Sequence, residues 1–250
     1  MEEIRELLIK SPDFNLSNID PDYTFGKNRS DLELDLTKLR GLLSDLQNNL
    51  FVEHKNSLLI VLQGMDTSGK DATIEHVISA FNPAWCNVTA FKQPTSEELS
   101  HDFLWRIHKA VPPIGFVGVF NRSHYEDIVE ARNQKLVSKS QLDKRYNHIN
   151  CFEKILTENR VKIIKFFLHI SKKEQKKRLD ERASDPEKRW KEDTRDYKRR
   201  KKWQEYLKAY TDVITYCGIN NLPWYVIPSN KKWFRNWIIA KIICDTLQDL

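Results

Sequence analysis

One nine-residue run, GMDTSGKDA from Gly64 to Ala72, constrains this chain more than any other feature. An apolar stretch, Leu58–Leu62, precedes the run, and a segment with helical spacing follows it. A strand, a glycine-rich turn and a Gly-Lys pair that opens a helix are the context of a phosphate-binding loop. The backbone N–H groups and the helix N-terminus of such a loop form an anion site. The sequence therefore predicts phosphate binding by Lys70 and by the loop residues Gly64, Thr67, Ser68 and Gly69.

The loop departs from the standard pattern at two acidic positions. Asp71 stands where the standard loop has a Ser or Thr whose hydroxyl binds Mg²⁺, and Asp66 lies inside the loop. Carboxylates in a phosphate site are explained if they hold cations against a very anionic ligand. We therefore predict that Asp66 binds a metal ion and that Asp71 lies close to it. The alternative is a plain strand-to-helix turn in which an acidic residue stabilises the helix dipole.

The length and composition place the chain in a broad class. With 250 residues, of which 40% are hydrophobic, we expect one domain over 1–250, in which 1–56 form an N-terminal arm and a helix. No apolar run approaches the roughly 20 residues of a membrane span, and the N-terminus does not resemble a signal peptide. The four cysteines form no CxxC pair, so a zinc site is not expected. These features predict a cytoplasmic protein.

Hydrophobic spacing predicts an α/β fold. From residue 57 onward, short β-rich runs alternate with helical segments, which is typical of a parallel sheet covered by helices on both faces. The predicted strands are Leu58–Gln63, Asn87–Phe91, Phe116–Phe120, Val161–Ile170 and Trp224–Ile227. The predicted helices are Lys70–Phe81, Ser96–Lys109, Ser140–Glu158, Lys172–Arg182, Trp190–Tyr216 and Lys231–Leu247.

A leucine stripe predicts one further helix before the first strand. The leucines recur at alternating spacings of four and three residues, at Leu32, Leu36, Leu39, Leu43, Leu46 and Leu50. Such a stripe packs a helix on the core of its own chain, or forms a contact between subunits. We expect packing on the core, and a subunit contact is the alternative.

Polar residues follow the predicted strands, at the edge of the sheet where ligands of such folds bind. Lys92 follows the second strand, and Asn121 and Arg122 follow the third. Asn121 can accept a metal contact without adding charge, and Arg122 can neutralise phosphate oxygens. His124 is a base or a metal ligand, or else a structural residue, and the structural interpretation is favoured. Glu126 is expected to lie at the start of a helix.

The positive charge of the chain is concentrated in the segment 172–202. This segment carries 15 Lys or Arg and 8 Asp or Glu, whereas all other positions carry 26 basic and 27 acidic residues. Arg178 and Arg182 lie one helical turn apart on one face, and Pro186 interrupts the helix. Arginine-rich flaps close over phosphate loops in small-molecule kinases. We therefore predict that 172–202 is a basic lid for a polyanionic ligand, the alternative being a solvated helical surface.

Together these motifs resemble the polyphosphate kinase 2 family. The motifs occur in the order of the family across residues 57–247 and read GMDTSGKDATIEHV, VTAFKQPTSEELSHDFLWR, GVFNRSHYED, KFFLHISKKEQKKRL, SDPEKRWK and PWYVIPSNKKWFRN. The third motif resembles the subgroup called class III. The resemblance implies a P-loop kinase sheet with a helical lid, similar to thymidylate kinase. It also implies Mg²⁺-dependent transfer of the terminal phosphoryl group of inorganic polyphosphate to AMP and ADP, with Mn²⁺ as a substitute metal.

The resemblance further implies roles for individual residues. It makes the catalytic set Asp66, Lys70, Arg122, Arg178 and Arg182. It adds Lys92, Arg106, Asn121 and Glu126 to the loop residues and Asp71 as the phosphate- and nucleotide-binding set. It assigns the metal to Asp66 and Asn121. Other members carry Asp where this chain has Asn121, so the segment 121–126 is a candidate for the choice of acceptor.

The expected partners are polyphosphate, AMP and ADP, with GMP and GDP as further acceptors, and a second copy of the chain in a dimer or tetramer. Neither a nucleic acid nor a membrane is expected. Two alternatives stay open at this point. The first is an ATP-dependent nucleotide kinase of the same fold. The second is a nucleic-acid binder that stacks bases on aromatic residues of the basic stretch, namely Trp190, Tyr197, Trp203 and Tyr206.

Overall fold

Five parallel strands form one sheet in the computed structural model, which describes residues 2–9, 11, 13–185, 194–218 and 222–250. The strands are β1 (Ser57–Gly64), β2 (Cys86–Ala90), β3 (Val117–Asn121), β4 (Val161–His169) and β5 (Trp224–Pro228). Their order in the sheet is β2-β3-β1-β4-β5, and every neighbouring pair is parallel. All five predicted strands are confirmed within one residue at each end.

Helices connect the strands. They are α1 (Glu2–Glu6), α2 (Arg29–Glu53), α3 (Lys70–His76), α4 (Ser96–Leu99), α5 (Trp105–His108), α6 (Glu126–Asn133), α7 (Lys139–Glu158), α8 (Lys172–Ser184), α9 (Thr194–Lys201), α10 (Trp203–Tyr216) and α11 (Lys232–Gln248). The predicted α/β architecture, a parallel sheet flanked by helices, is therefore confirmed.

Alternate residues of the central strand β1 face two separate apolar layers. Leu58, Ile60 and Leu62 pack with α2 and α11, whereas Leu59 and Val61 pack with α6, α7 and α10. Every residue of β1 is buried, as expected for a strand whose two faces are both covered by helices. Because side chains alternate along a strand, the continuous apolar run of β1 serves both layers.

The leucine stripe lies on α2 and packs against α11, so the prediction of core packing is confirmed. Four of the six leucines are buried, and Leu36 and Leu46 are partly buried against the same layer. The helix starts at a side-chain cap, because Asn28 Oδ1 accepts the N–H of Asp31. It ends at His54, which adopts a left-handed conformation with φ 49°.

Three predicted helices are shorter or interrupted. The helix after the loop ends at His76, and Ile78–Ala80 continue it as a 3₁₀ turn. The predicted helix 96–109 is two short helices, because Asp102 Oδ1 accepts the N–H of Leu104 and competes with the helical pattern. The predicted helix 190–216 is divided into α9 and α10 at Lys202. Its first four positions and the predicted break at Pro186 lie outside the described residues.

Helix α6 was not among the predicted helical segments, although Glu126 lies in its first turn as expected, next to Asp127. With eight residues, it is too short to show a clear apolar period in the sequence. None of the helices in the described ranges combines the length and the apolar character that a membrane crossing needs.

The packing of α2 on α11 generates a stability prediction. Leu43 is 0% exposed, so Leu43→Ala should lower the free energy of unfolding by about 2–5 kcal/mol through lost burial and the cavity that remains. Leu34 lies on the same helix but is 64% exposed, so Leu34→Ala should change it by less than about 0.5 kcal/mol. Urea denaturation followed by circular dichroism measures both values. Equal effects of the two substitutions would contradict the packing of the leucine stripe.

Candidate active site

The glycine-rich loop joins β1 to α3 at the carboxyl edge of the sheet. Gly64 has φ 147°, and a Cβ at this position would lie 2.7 Å from the carbonyl oxygen of Leu168 in β4. Only glycine therefore fits where the chain leaves the sheet. The N–H of Thr73 donates to the oxygen of Gly69 at 2.8 Å. The N–H groups of the residues before Thr73 come too early in α3 to find an acceptor within the helix. These N–H groups are the donors that the predicted anion site requires, and anion binding stays a prediction.

Lys70 is held inside the loop by neutral acceptors. Its Nζ donates to the carbonyl oxygens of Gly64 at 2.8 Å and Met65 at 3.2 Å. The residue is 7% exposed. Burial, and next the nearby Arg122, lower the pKa of Lys70 to about 8. The ammonium group is therefore a weakly compensated charge that an anion in the loop would stabilise.

Asp66 lies between two arginines from different elements. Its Oδ1 accepts a hydrogen bond from Arg122 Nη2 at 2.8 Å, and Arg199 Nη1 of α9 lies 3.6 Å from Oδ2. Burial raises the pKa of Asp66, but Arg122, Lys70 and Arg199 lower it further, so it ends below the ordinary value. Asp66 is therefore ionised at neutral pH.

Arg122 also contacts Glu126 at the start of α6. Its Nη1 donates to Glu126 Oε2 at 3.2 Å, and its backbone has φ 62°. Burial raises the pKa of Glu126 in spite of this arginine. Glu126 lies behind Arg122 and does not line the pocket described below. The carboxylate thus orients the guanidinium at the end of β3.

Asp71, one of the two acidic departures in the loop, contacts Asn121, at which other members of the family that the motifs resemble carry Asp. Asn121 Nδ2 donates to Asp71 Oδ1 at 2.8 Å, which joins the end of β3 to the start of α3. Among the described residues, no three side chains of the types His, Cys, Asp and Glu form a cluster that holds a metal ion by itself. Metal binding by Asp66 and Asn121 stays a prediction.

Arg178 of α8 binds the backbone of the loop. Its Nη1 donates to Thr67 O at 2.9 Å, and its Nη2 donates to Ser229 O at 2.7 Å, just after β5. Its Nε donates to Glu174 Oε1 at 2.8 Å. The side chain is buried, and its donors all have protein acceptors in this conformation. Arg178 therefore links the basic segment to the loop, and its predicted role toward phosphate stays a prediction.

The described parts of the basic segment, 172–185 and 194–202, contact each other through an ion pair and a hydrogen bond to a backbone oxygen. Arg182 Nη1 of α8 lies 3.1 Å from Asp196 Oδ2 of α9. Arg200 Nη1 of α9 donates to the backbone oxygen of Lys172 at the start of α8. These contacts bring the two helices together over the loop.

Arg106 faces other protein groups. Its Nη1 donates to Lys92 O at 2.9 Å, and the carboxylates of Glu98 and Asp127 each lie 3.5 Å from it. The residue is buried, and it positions the segment that follows β2. Lys92 itself lines the pocket.

A pocket of about 840 Å³ opens over the loop. Ten of the predicted site residues line it, namely Asp66, Thr67, Gly69, Lys70, Asp71, Lys92, Asn121, Arg122, Arg178 and Arg182. Four others lie close by without lining it, namely Gly64, Ser68, Arg106 and Glu126. The structure thus brings together residues from four segments of the chain, and their individual roles stay predictions.

Comparison with known proteins identifies the family. Residues 26–250 match the family model described as Polyphosphate kinase 2. The chain belongs to the polyphosphate kinase 2 family. An AMP/ADP-polyphosphate phosphotransferase of Meiothermus ruber is 45% identical over 240 residues, which cover 95% of this chain and 90% of that protein. An ADP-polyphosphate phosphotransferase of Rhodopseudomonas palustris is 39% identical over 83% of this chain and 76% of its own length.

A solved structure has the same fold. The crystal structure of Polyphosphate Kinase 2 from Arthrobacter aurescens superposes with a TM-score of 0.94 and 42% sequence identity, covering 98% of this chain and 88% of that one. The resemblance inferred from the motifs is therefore confirmed for the family and for the fold.

Sequence reasoning about this polyphosphate kinase 2 chain did not single out Arg199. Its Nε lies 3.0 Å from Glu130 Oε1 of α6, in addition to the contact with Asp66. Arg199 stands in a basic run in which neighbouring side chains look alike. Nothing in that run distinguishes the one that reaches the loop.

A buried charged network supports the third-strand motif of this polyphosphate kinase 2 chain. Lys165 Nζ of β4 donates to Glu153 Oε2 of α7 at 2.6 Å and to the hydroxyl of Tyr125 at 3.0 Å. His124 Nε2 lies 3.3 Å from the other oxygen of Glu153. Burial raises the pKa of Glu153, but Lys165 and His124 lower it further, below the ordinary value. His124 is 1% exposed and is therefore a structural residue, as the sequence favoured.

The environment of Lys70 predicts a pH dependence. Because the pKa of Lys70 is lowered to about 8, its charge is present below that pH and is lost as the pH rises through it. We expect the affinity for inorganic triphosphate to fall above about pH 8, by up to roughly tenfold per pH unit. Lys70→Arg stays charged and should lose this component of the pH dependence.

Isothermal titration calorimetry at constant ionic strength measures this pH dependence. The ionisation of the ligand is common to both proteins, so the difference between them reports Lys70. The same pH profile for wild type and Lys70→Arg would contradict the assignment.

Proposed function

We propose that the chain transfers the terminal phosphoryl group of inorganic polyphosphate to AMP and to ADP in a reaction that uses Mg²⁺. The observation that carries this proposal is the pocket on the loop, whose walls present cations from four elements around one anion site. Lys70 comes from α3, Arg122 from the turn directly after β3, Arg182 from α8 and Arg235 from α11. The names of the two phosphotransferases described above support the same donor and acceptors.

The size of the pocket fits two phosphorylated ligands that meet. Its volume of about 840 Å³ lies at the upper end of the range for small-molecule sites. Lys92 lines it on the β2 side and Lys232 on the α11 side, with the loop between them. A nucleotide and the end of a phosphate chain can therefore approach the loop from different directions.

The chemistry requires charge neutralisation more than a general base. The attacking group is a phosphate oxygen of the nucleotide, and the second pKa of a phosphate monoester is about 6, so this oxygen is already ionised at neutral pH. Two unit charges 4 Å apart repel by about 1 kcal/mol in water and by about 4 kcal/mol at an effective dielectric constant near 20. Lys70 and Arg122 offset this repulsion and stabilise the negative charge of the loose transition state.

The oxygen atoms of the site fit a magnesium ion. Mg²⁺ is commonly bound by one or two carboxylates together with substrate phosphates. Asp66 supplies an ionised carboxylate in the pocket, and Asn121 directs its Nδ2 to Asp71, which leaves its amide oxygen as a second ligand. Mg²⁺, or Mn²⁺ in its place, would neutralise phosphate charge at this position. Arg122 and Arg199 hold the carboxylate of Asp66 in position for it.

The acceptor range and the assembly state extend the proposal. GMP and GDP are proposed as further acceptors, and the segment 121–126, which carries Arg122 and Glu126, is proposed to influence the choice. A dimer or tetramer is proposed as the working form.

A donor–acceptor matrix tests the proposed function. Purified protein is incubated with Mg²⁺ and either long-chain polyphosphate or ATP as donor. AMP, ADP, GMP and GDP serve as acceptors, and the products are separated by chromatography. We expect ADP and ATP to form from AMP with polyphosphate as the donor. Transfer with ATP but not with polyphosphate as the donor, or no transfer with either donor, would contradict the proposal.

Two substitutions in the site and one control substitution test whether the predicted residues carry the activity. Lys70→Ala and Asp66→Asn should each lower kcat by at least roughly 100-fold, the loss typical for one preorganised charge-stabilising group. Lys38 is an exposed lysine on α2, so Lys38→Ala should keep the wild-type rate. Circular dichroism confirms that each variant is folded.

A further inference from the structure

Among the residues that the structure describes, Arg235 in the first turn of α11 is a buried guanidinium that has no charged partner. It is 1% exposed. Its Nε and Nη2 donate to Asn236 Oδ1 at 3.1 and 2.8 Å, and its Nη1 donates to Ser68 O at 3.4 Å. Over the described residues, all of its acceptors are neutral. Buried cations are normally paired with a carboxylate or with a bound anion, because an unpaired charge is costly to bury.

Arg178 provides the contrast at the same loop. It is also buried, but its Nε donates to the carboxylate of Glu174, and it donates to the oxygens of Thr67 and Ser229. The donors of Arg178 therefore all have acceptors without a ligand, whereas the described surroundings of Arg235 contain no carboxylate that pairs with it. Burial, and next the nearby Arg178, lower the pKa of Arg235 to about 9, which agrees with this difference.

The start of α11 adds to the excess of positive charge. Its first turn contains no acidic residue, and Lys232 follows the N-cap residue Lys231, whose Nζ lies 3.6 Å from Asp22 Oδ1. The N-terminus of a helix carries a partial positive charge that favours acidic residues. A helix start without acidic residues breaks this local rule. Such a departure is expected at functional sites, where another group compensates the positive charge.

The guanidinium of Arg235 lies directly against the loop. A Cβ at Gly69 would lie 1.8 Å from Arg235 Nη1, so only glycine leaves room for this contact. Both Arg235 Nη1 and Arg178 Nη1 donate to the oxygen of Ser68. In a trans peptide the N–H points opposite to the C=O, so the N–H of Gly69 points away from both arginines. The two guanidiniums thus orient and polarise one peptide of the anion site.

Arg235 also reaches the space that a phosphate chain can occupy. It lines the main pocket over the loop and a neighbouring cavity of about 630 Å³ on the other side of Ala72. Lys232 lines both cavities as well. The uncompensated charge therefore lies where the two cavities meet.

We propose that Arg235 is a positioning residue for phosphoryl transfer, and that the phosphate chain bound in the loop is the counter-charge it lacks. This inference rests on the proposed function and identifies which buried cation responds to the phosphate. The ligand-free protein carries the cost of the buried charge, and binding of the chain relieves it. Removing the charge should therefore raise the stability of the ligand-free protein and lower its affinity for phosphate, so the two effects have opposite signs.

Arg235→Met, which keeps the bulk of the side chain without its charge, tests these opposite signs. The melting temperature is measured without ligand and over a titration with inorganic triphosphate, and kcat and KM for polyphosphate are measured separately. We expect an unchanged or raised melting temperature without ligand. We also expect at least a roughly tenfold weaker affinity for triphosphate, the loss expected for one charge-assisted contact, and a correspondingly higher KM.

Two further variants separate charge from shape. Arg235→Lys keeps the charge without the planar fork and should restore most of the affinity for triphosphate. Arg178→Met is the matched control at the same loop. It should lower the melting temperature without ligand, because it leaves Glu174 and several carbonyl oxygens without their donor.

Defined outcomes would overturn the inference. If Arg235 has only a structural role, Arg235→Met lowers the melting temperature or fails to fold. If the variant folds, it then responds to triphosphate as wild type does. Either result contradicts the inference, and if wild type still transfers phosphoryl groups from polyphosphate, the proposed function stands. If wild type neither binds triphosphate nor transfers phosphoryl groups, the proposed function fails and the inference fails with it.

Discussion

The crowding of positive charge around one glycine-rich loop is the constraint on which the rest of the site depends. Lys70 lies inside the loop, Arg122 stands at the end of β3 and Arg199 reaches it from α9. These cations repel one another, and burial, followed by the repulsion from Arg122, lowers the pKa of Lys70. Asp66 contacts both arginines and offsets part of the charge. A bound phosphate chain would offset the remainder, so the ligand completes an arrangement that the protein leaves unbalanced.

The parallel sheet makes this crowding possible. The carboxyl ends of β1 and β3 lie side by side, with Leu62 in register with Asn121, so the loop and the third-strand motif meet without a long connection. The buried network of Lys165, Glu153 and Tyr125 fixes the base of that motif, and Arg122 projects from it toward Asp66. Burying such a network is costly unless every member is paired, and its position directly behind the site gives a reason for its presence.

The sequence predicted those parts of the molecule that local patterns determine. The strands were predicted to within one residue because each is a short run rich in β-branched and aromatic residues, and the loop was predicted because glycines and Lys70 occur at a fixed spacing. Positions that depend on tertiary partners were not predicted. The division of 96–109 depends on one side chain, Asp102, that competes for a backbone N–H.

The same limit applies to the arginines. Nothing in the spacing of the basic segment shows that Arg178 binds carbonyl oxygens or that Arg199 reaches Asp66, since their partners come from elements far away in the sequence. Burial of Arg235 depends on the packing of α11 against Gly69, which no local pattern reveals. The residue types of the site were therefore predictable, whereas their pairing required the fold.

A crystal structure of the protein with Mg²⁺ and inorganic triphosphate tests the central claim most directly. The account predicts that phosphate oxygens occupy the loop, and that Lys70 Nζ turns to them from the oxygens of Gly64 and Met65, where it lies without ligand. It also predicts a phosphate oxygen within contact distance of Arg122. Triphosphate bound only along the basic segment 172–202, with Lys70 still on its two carbonyl oxygens, would contradict the account.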